Sequence, residues 1–181
     1  MRISLSGPIG SGKTTLAQKL ATKNGYRRVS FSTAITDELS SLLGMTVGEM
    51  LRSKEEWRWA IQAWGMIRRQ AKPGYWLDVV EKSLCDVEHD DYIVVDDSRF
   101  PIELEMLRLN RFQLVKLDCP KEDSIDYQIQ KGKSREEAEA SADNITERAL
   151  DDWQHWNTII SAPRSRPLDD IYKDLQPLLY P

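Results

Sequence analysis

Residues 7–14 read Gly7-Pro8-Ile9-Gly10-Ser11-Gly12-Lys13-Thr14, a complete G-x-x-x-x-G-K-[ST] spacing in which each part has a chemical job. Gly7, Gly10 and Gly12 let the backbone curl with its N–H groups inward, making a concave nest for phosphate oxygens. Lys13 supplies a full positive charge for β- and γ-phosphates, and Thr14 offers a hydroxyl to Mg²⁺. Ser11 and Thr15, within and just after the turn, complete the expected nucleotide-binding set. A helix starting here aims its positive end at the same anion. The flanks supply the required context. Arg2–Leu5 alternates polar and apolar as a short strand does, Leu16, Leu20 and Ala21 recur at helical spacing, and Asn24-Gly25 is a helix stop. The loop therefore calls for ATP with Mg²⁺.

Bulk properties narrow the class. The chain has 181 residues and a net charge of −4, with acidic and basic residues interspersed. That length holds a sizeable core, and the charge balance argues against a nucleic-acid partner. Cys85 and Cys119 are the only two cysteines, too isolated for a disulfide framework or a zinc site, and read as packing residues. No signal-peptide pattern opens the sequence and no apolar run spans a bilayer. The expected setting is the cytoplasm, that of a host cell if the gene is viral, with no membrane partner.

Strands are expected at Arg2–Leu5, Arg27–Phe31, Tyr92–Val95, Gln113–Leu117 and Thr158–Ile160. Helices are expected at Thr14–Lys23, Thr33–Leu43, Glu55–Gln70, Tyr75–Cys85, Pro101–Leu109 and Leu168–Leu175. This alternation predicts an α/β fold, with a five-stranded, mainly parallel sheet and helices on both faces. The chain reads as one domain in which two stretches break the simple alternation. Residues 33–90 read as a helical acceptor-binding arm and residues 121–152 as a lid. Ligands of such sheets bind beyond the carboxyl ends of the strands.

One strand end carries a second signal. Tyr92-Ile-Val-Val-Asp-Asp-Ser-Arg99 is an apolar strand ending in two carboxylates and an arginine. A carboxylate there can hold Mg²⁺ beside the loop. Alternation sends Asp96 and Asp97 to opposite sides, so one of them faces the metal. Arg99 can bridge phosphate oxygens with its planar fork. On helix 55–70, Arg58, Gln62, Gly65 and Arg69 share one face, and Trp57, Ile61 and Trp64 share the packing face. Gln62 can pair with a base edge. Arg69, with Arg68, can hold a monophosphate, and Gly65 leaves room for a ligand.

These pieces resemble the phage deoxynucleoside monophosphate kinases, within the P-loop nucleoside monophosphate kinases. The matching segments are Gly7–Thr14, Gln62-Ala-Trp-Gly65 with Arg68-Arg69, Tyr75-Trp76-Leu-Asp78, Asp97-Ser-Arg-Phe-Pro-Ile-Glu103 and Thr146-Glu-Arg-Ala-Leu-Asp151. They span most of the chain. The Asp-x-Arg-Phe-Pro-x-Glu piece is the most specific of them. The resemblance implies a P-loop kinase fold and transfer of the ATP γ-phosphoryl group to a deoxynucleoside monophosphate. It points to Asp97 rather than Asp96 as the family-type carboxylate, to Arg99 as its partner, and to Gln62 and Arg69 in the acceptor site. Met66 departs from the pattern where a small hydroxyl residue is expected, and Thr146 stands where a serine precedes the glutamate.

Lys13, Asp97 and Arg99 are thus the expected catalytic set, and Arg58, Gln62, Arg68, Arg69 and Arg99 the substrate-binding set. Lys131, Lys133 and Arg135 are the lid cations, with Arg148 as an alternative. Asn144-x-x-Glu147 reads as a helix-capping pair, which leaves Glu147 outside the chemistry. After the last strand, Arg164 is placed over the adenine by fold analogy. His89 and His155 are read as non-catalytic. The partner is a small-molecule nucleotide, and a homodimer stays open. Two other readings stand beside this one. A kinase of a neutral hydroxyl acceptor would use Asp97 or Asp96 as a general base. A nucleotide-binding ATPase or switch would transfer nothing to a small molecule, although no Asn-Lys-x-Asp guanine motif is present.

Overall fold

A computed structural model describes residues 1–85 and 92–179; the position of His89 lies outside them. Five strands, β1 (Arg2–Ser6), β2 (Arg27–Val29), β3 (Ile93–Val95), β4 (Gln113–Asp118) and β5 (Thr158–Ser161), form one sheet in the order β2-β3-β1-β4-β5. β1 runs parallel to β3 and β4, and β4 parallel to β5. Ile3 stands opposite Val94, Leu5 opposite Val115, and Lys116 opposite Ile159. The chain divides into two compact units, Met1–Arg28 with Asp90–Pro181, and Val29–His89.

In the first unit the period of two sorts the strands. Ile3, Leu5, Val94, Val115, Leu117 and Ile160 share a buried cluster with Leu16, Ala17 and Leu20 of α1 (Lys13–Asn24) and Ile171, Leu175 and Leu179 of α10 (Leu168–Leu179). The alternate positions, including Ile93, Val95 and Leu114, are also buried, as expected of a sheet covered on both faces. α6 (Pro101–Leu109) packs on β4, with Leu104 and Leu107 buried. α10 runs four residues beyond the expected end and passes Pro177, because Leu179 still reaches the core. Residues 121–152 fold as α7 (Lys121–Gln130), α8 (Arg135–Ala142) and α9 (Ile145–Arg148). Ser134 and Glu137 form the capping box that starts α8.

The second unit is helical, with α2 (Phe31–Leu42), α3 (Val47–Arg52), α4 (Lys54–Ala71) and α5 (Tyr75–Cys85). The strand expected to run to Phe31 stops at Val29. Ser30 accepts a hydrogen bond from the Thr33 amide and caps α2 two residues before its expected start. The unexpected α3 begins at a capping box of Thr46 and Glu49. Val29, Phe31, Ile35, Leu39, Met50, Ile61, Trp76, Val80 and Leu84 are buried apolar residues of this second unit.

Candidate active site around the phosphate loop

The loop from β1 into α1 has three glycines at positive φ: 150° at Gly7, 86° at Gly10 and 88° at Gly12. Packing enforces two of them independently. A Cβ at Gly7 would come within 2.6 Å of the Leu117 carbonyl oxygen, and one at Gly10 within 2.9 Å of Tyr127. Lys13 opens α1 and is buried. Its Nζ donates to the carbonyls of Gly7 and Pro8, each at 2.7 Å, and lies 3.4 Å from Ser11 Oγ. Burial, and then the nearby Arg99 guanidinium, lower its pKa to about 7, against the opposing pull of Glu147 and Asp96. Thr14 and Thr15 are exposed on the first turn of the same helix.

The tip of β3 is tied to β1 by side chains. Ser98 is buried, and its Oγ lies 3.1 Å from both Ser4 Oγ and Ser6 Oγ. Asp96 is buried and receives Arg28 Nη2 at 3.0 Å on each oxygen. Asp97 is half-buried. Glu103 Oε2 accepts from the Arg99 and Phe100 amides at 2.6 and 3.2 Å, which fixes the turn into α6. These bonds set Asp97 and Arg99 at the carboxyl end of the strand beside β1.

Arg99 then meets a residue that the sequence reading left out. Arg99 Nη1 donates to Glu147 Oε1 at 2.5 Å, and the Ile9 amide of the phosphate loop donates to Glu147 Oε2 at 2.9 Å. The expected capping pair is therefore corrected. Asn144 caps α9 by itself, accepting from the Thr146 amide at 3.0 Å, while Glu147 turns toward the loop. A cleft of about 400 Å³ opens here, with Gly7, Ser98, Arg99, Lys116, Lys121 and Glu147 among its walls.

The three expected lid cations have local partners. Arg135 pairs with Glu139 at 2.8 Å and Glu122 at 3.1 Å, Lys133 donates to Gln128 Oε1 at 2.7 Å, and Lys131 lies over the Tyr127 ring. Arg135 and Lys133 thereby join α7 to α8. Arg148, the alternative, lines the cleft and pairs with Asp151 at 3.1 Å. Arg164 stacks on Tyr127 at 4.9 Å, and its Nη2 donates to Gln130 Oε1 at 2.9 Å. Tyr127 thus touches both Gly10 and Arg164, and nothing in the sequence singled it out. His155 is exposed and packs edge-on against Trp153.

In the second unit, Arg58 and Gln62 are exposed on α4 and Arg69 is half-buried. Arg68 is held: it pairs with Glu38 and lies over the rings of Trp64 and Tyr75 at 4.7 and 4.6 Å. Glu38 also accepts from Trp64 Nε1 at 3.1 Å and Tyr75 Oη at 2.5 Å. Burial pushes its pKa up, but the hydrogen bonds from Tyr75 and Arg68 outweigh that and hold the carboxyl below its ordinary range. The space at Gly65 belongs to packing. An added Cβ would lie 3.1 Å from Ile35 Cδ1, and the Gly65 carbonyl accepts from Trp76 Nε1 at 3.0 Å.

Among the described residues, no three His, Cys, Asp or Glu side chains gather as a metal site. A Mg²⁺ ion carried by phosphates needs none, because it keeps waters and takes one or two protein ligands. Thr14 and Asp97 are donors of the right hard-oxygen type. No helix among the described residues is long and apolar enough to cross a membrane.

No protein-family model matches the chain, and no curated protein matches it. Solved structures do. A shikimate kinase from Bacteroides thetaiotaomicron aligns over 99% of this chain and 98% of its own, with TM-score 0.57 and 19% identity. A gluconokinase from Sinorhizobium meliloti aligns over 99% and 95%, with TM-score 0.56 and 15% identity. A deoxyadenosine kinase from M. mycoides with bound dATP aligns over the whole of both chains, with TM-score 0.52 and 12% identity. The chain has the P-loop kinase fold.

Proposed function

We propose that the protein is an ATP-dependent phosphotransferase that moves the γ-phosphoryl group of ATP to a deoxynucleoside monophosphate, giving the diphosphate. The observation that carries the transferase reading is that Arg99, Gly7 and Pro8 line one cleft, while Lys13 Nζ sits on the Gly7 and Pro8 carbonyls and feels the Arg99 charge. Phosphoryl transfer is catalysed mainly by positioning and charge neutralisation, and this cleft supplies both. Lys13 exchanges the Gly7 and Pro8 carbonyls for phosphate oxygens. Gly10 and Gly12 keep the backbone open to the triphosphate, and Tyr127 with Arg164 offers a stacking wall for the base. Thr14 and Asp97 would hold a Mg²⁺ ion, which would supply neutralisation of phosphate charge. Arg99 meets the transferring group.

The acceptor reading rests on α4. A monophosphate brings its own negative charge, so its pocket needs arginines, and Arg58, Gln62 and Arg69 share one helix face. Arg68 contributes through Glu38 by holding that helix in place. Replacing Arg69 by Ala is expected to raise KM for the monophosphate about tenfold while kcat changes less than threefold, the pattern of lost uniform binding. Steady-state kinetics at saturating ATP check this, and an unchanged KM removes Arg69 from the acceptor site.

A second reading is favoured by one observation: the similar structures are named for shikimate, gluconate and deoxyadenosine, acceptors with hydroxyl groups. In that case Asp97 serves as the general base. Turnover of nucleosides, with none of monophosphates, would select it.

A further inference from the structure

Residues 121–152 deliver one acidic side chain to the phosphate loop. The Glu147 side chain is only 6% exposed. Its oxygens are divided between two donors, Arg99 Nη1 at 2.5 Å and the Ile9 amide at 2.9 Å. A carboxylate so buried persists only where its charge is matched and its oxygens have donors. Here the donors come from two other segments, the loop after β1 and the turn after β3. The Arg99 main chain is fixed by Glu103, but a guanidinium at the end of a flexible stem needs a second anchor to hold one orientation.

We propose that Glu147 is a positioning residue: by bridging the Ile9 amide and Arg99, its carboxylate sets where the Arg99 guanidinium sits against the phosphate loop. The proposal rests on the phosphotransferase reading above and extends it. It also accounts for an acidic group in an anion site. A carboxylate beside a triphosphate weakens affinity by like-charge repulsion, so its benefit is expected in turnover rather than in ATP binding. Its charge further offsets the mutual repulsion of Lys13 and Arg99.

The test uses the full-length chain as wild type, Glu147→Ala, Glu147→Gln, Arg99→Ala and the Glu147→Ala/Arg99→Ala pair. Misplacing a catalytic group by about 1 Å costs on the order of 100-fold. Glu147→Ala is therefore expected to lower kcat for the monophosphate ~10–100-fold, with the ATP·Mg²⁺ dissociation constant unchanged or lower. Glu147→Gln, which keeps an acceptor for Ile9, is expected to recover part of the loss. The double variant is expected to be no slower than Arg99→Ala alone. Nitrogen-15 NMR supplies a readout independent of turnover. The Ile9 amide and Arg99 Nε–Hε signals should both move in Glu147→Ala, while the fold is checked by the remaining amides. Losses that multiply in the double variant, or Ile9 and Arg99 signals that stay put, overturn the proposal. A wild type that binds ATP·Mg²⁺ but phosphorylates no monophosphate overturns the acceptor reading instead, and the positioning claim is then decided by the two NMR signals.

Discussion

Lys13 illustrates how a single site converts burial into ligand dependence. Its pKa of about 7 follows first from burial and then from Arg99, so at pH 8 most of the amine is neutral. A bound triphosphate favours the ammonium and raises that pKa. ATP binding at pH 8 is therefore expected to take up protons, up to about one per site, and uptake from Lys13 should vanish below about pH 6, where the amine is already charged. Calorimetry in buffers of different ionisation heat measures this; a binding enthalpy independent of buffer at pH 8 contradicts it. Cys119 shows the opposite shift. Burial, then Asp123, push its thiol up to about 11. In a Cys85→Ser background it should alkylate at pH 8 about two orders of magnitude more slowly than a free cysteine, whose pKa is about 8.5. Alkylation at the free-thiol rate would contradict the half-buried placement beside Asp123.

Among the elements, those decided by local rules were legible in the sequence. The phosphate loop, α1 and the apolar strands declared themselves through glycine spacing and period-two burial. Even α3 carried a signal, the Thr46-x-x-Glu49 box, within a part of the helical arm to which no helix was assigned. What stayed hidden were contacts between distant segments. Glu147 looked like the reciprocal half of an Asn144 cap, because spacing cannot tell a glutamate that turns back to its own helix from one that reaches Ile9, 138 positions away. Gly65 looked like space for a ligand, because Ile35 on another helix is what fills it. Arg68 looked like an acceptor arginine, whereas Glu38 and two aromatic rings hold it. That cluster joins α2, α4 and α5 and predicts a stability effect. Glu38→Gln removes the ion pair and should cost ~1–3 kcal/mol in urea unfolding at pH 7. Because the folded pKa of Glu38 is lowered, its contribution is fully present above its unfolded value of about 4.3 and is lost as pH falls through the folded pKa. The gap between wild type and variant should therefore close in acid, and a gap that persists would mean that packing, not charge, is responsible.

At the scale of the whole molecule, the P-loop kinase fold brings the ends of β1, β3 and β4 together, and Gly7, Ser98, Arg99 and Asp118 line one cleft there. The same fold serves acceptors as different as shikimate, gluconate and deoxyadenosine in the similar structures, so fold alone does not name the acceptor. In the function proposed above, side chains choose the acceptor, and the Arg58–Gln62–Arg69 face of α4 is the candidate for a monophosphate. The most direct measurement is transfer of label from γ-³²P-ATP with Mg²⁺ to a panel of deoxynucleoside and ribonucleoside monophosphates and the matching nucleosides, with products separated and identified. Labelled deoxynucleoside diphosphate is expected, formed at least ~100-fold more slowly by Lys13→Ala. Label that appears only on nucleosides, or only as inorganic phosphate, would contradict that expectation.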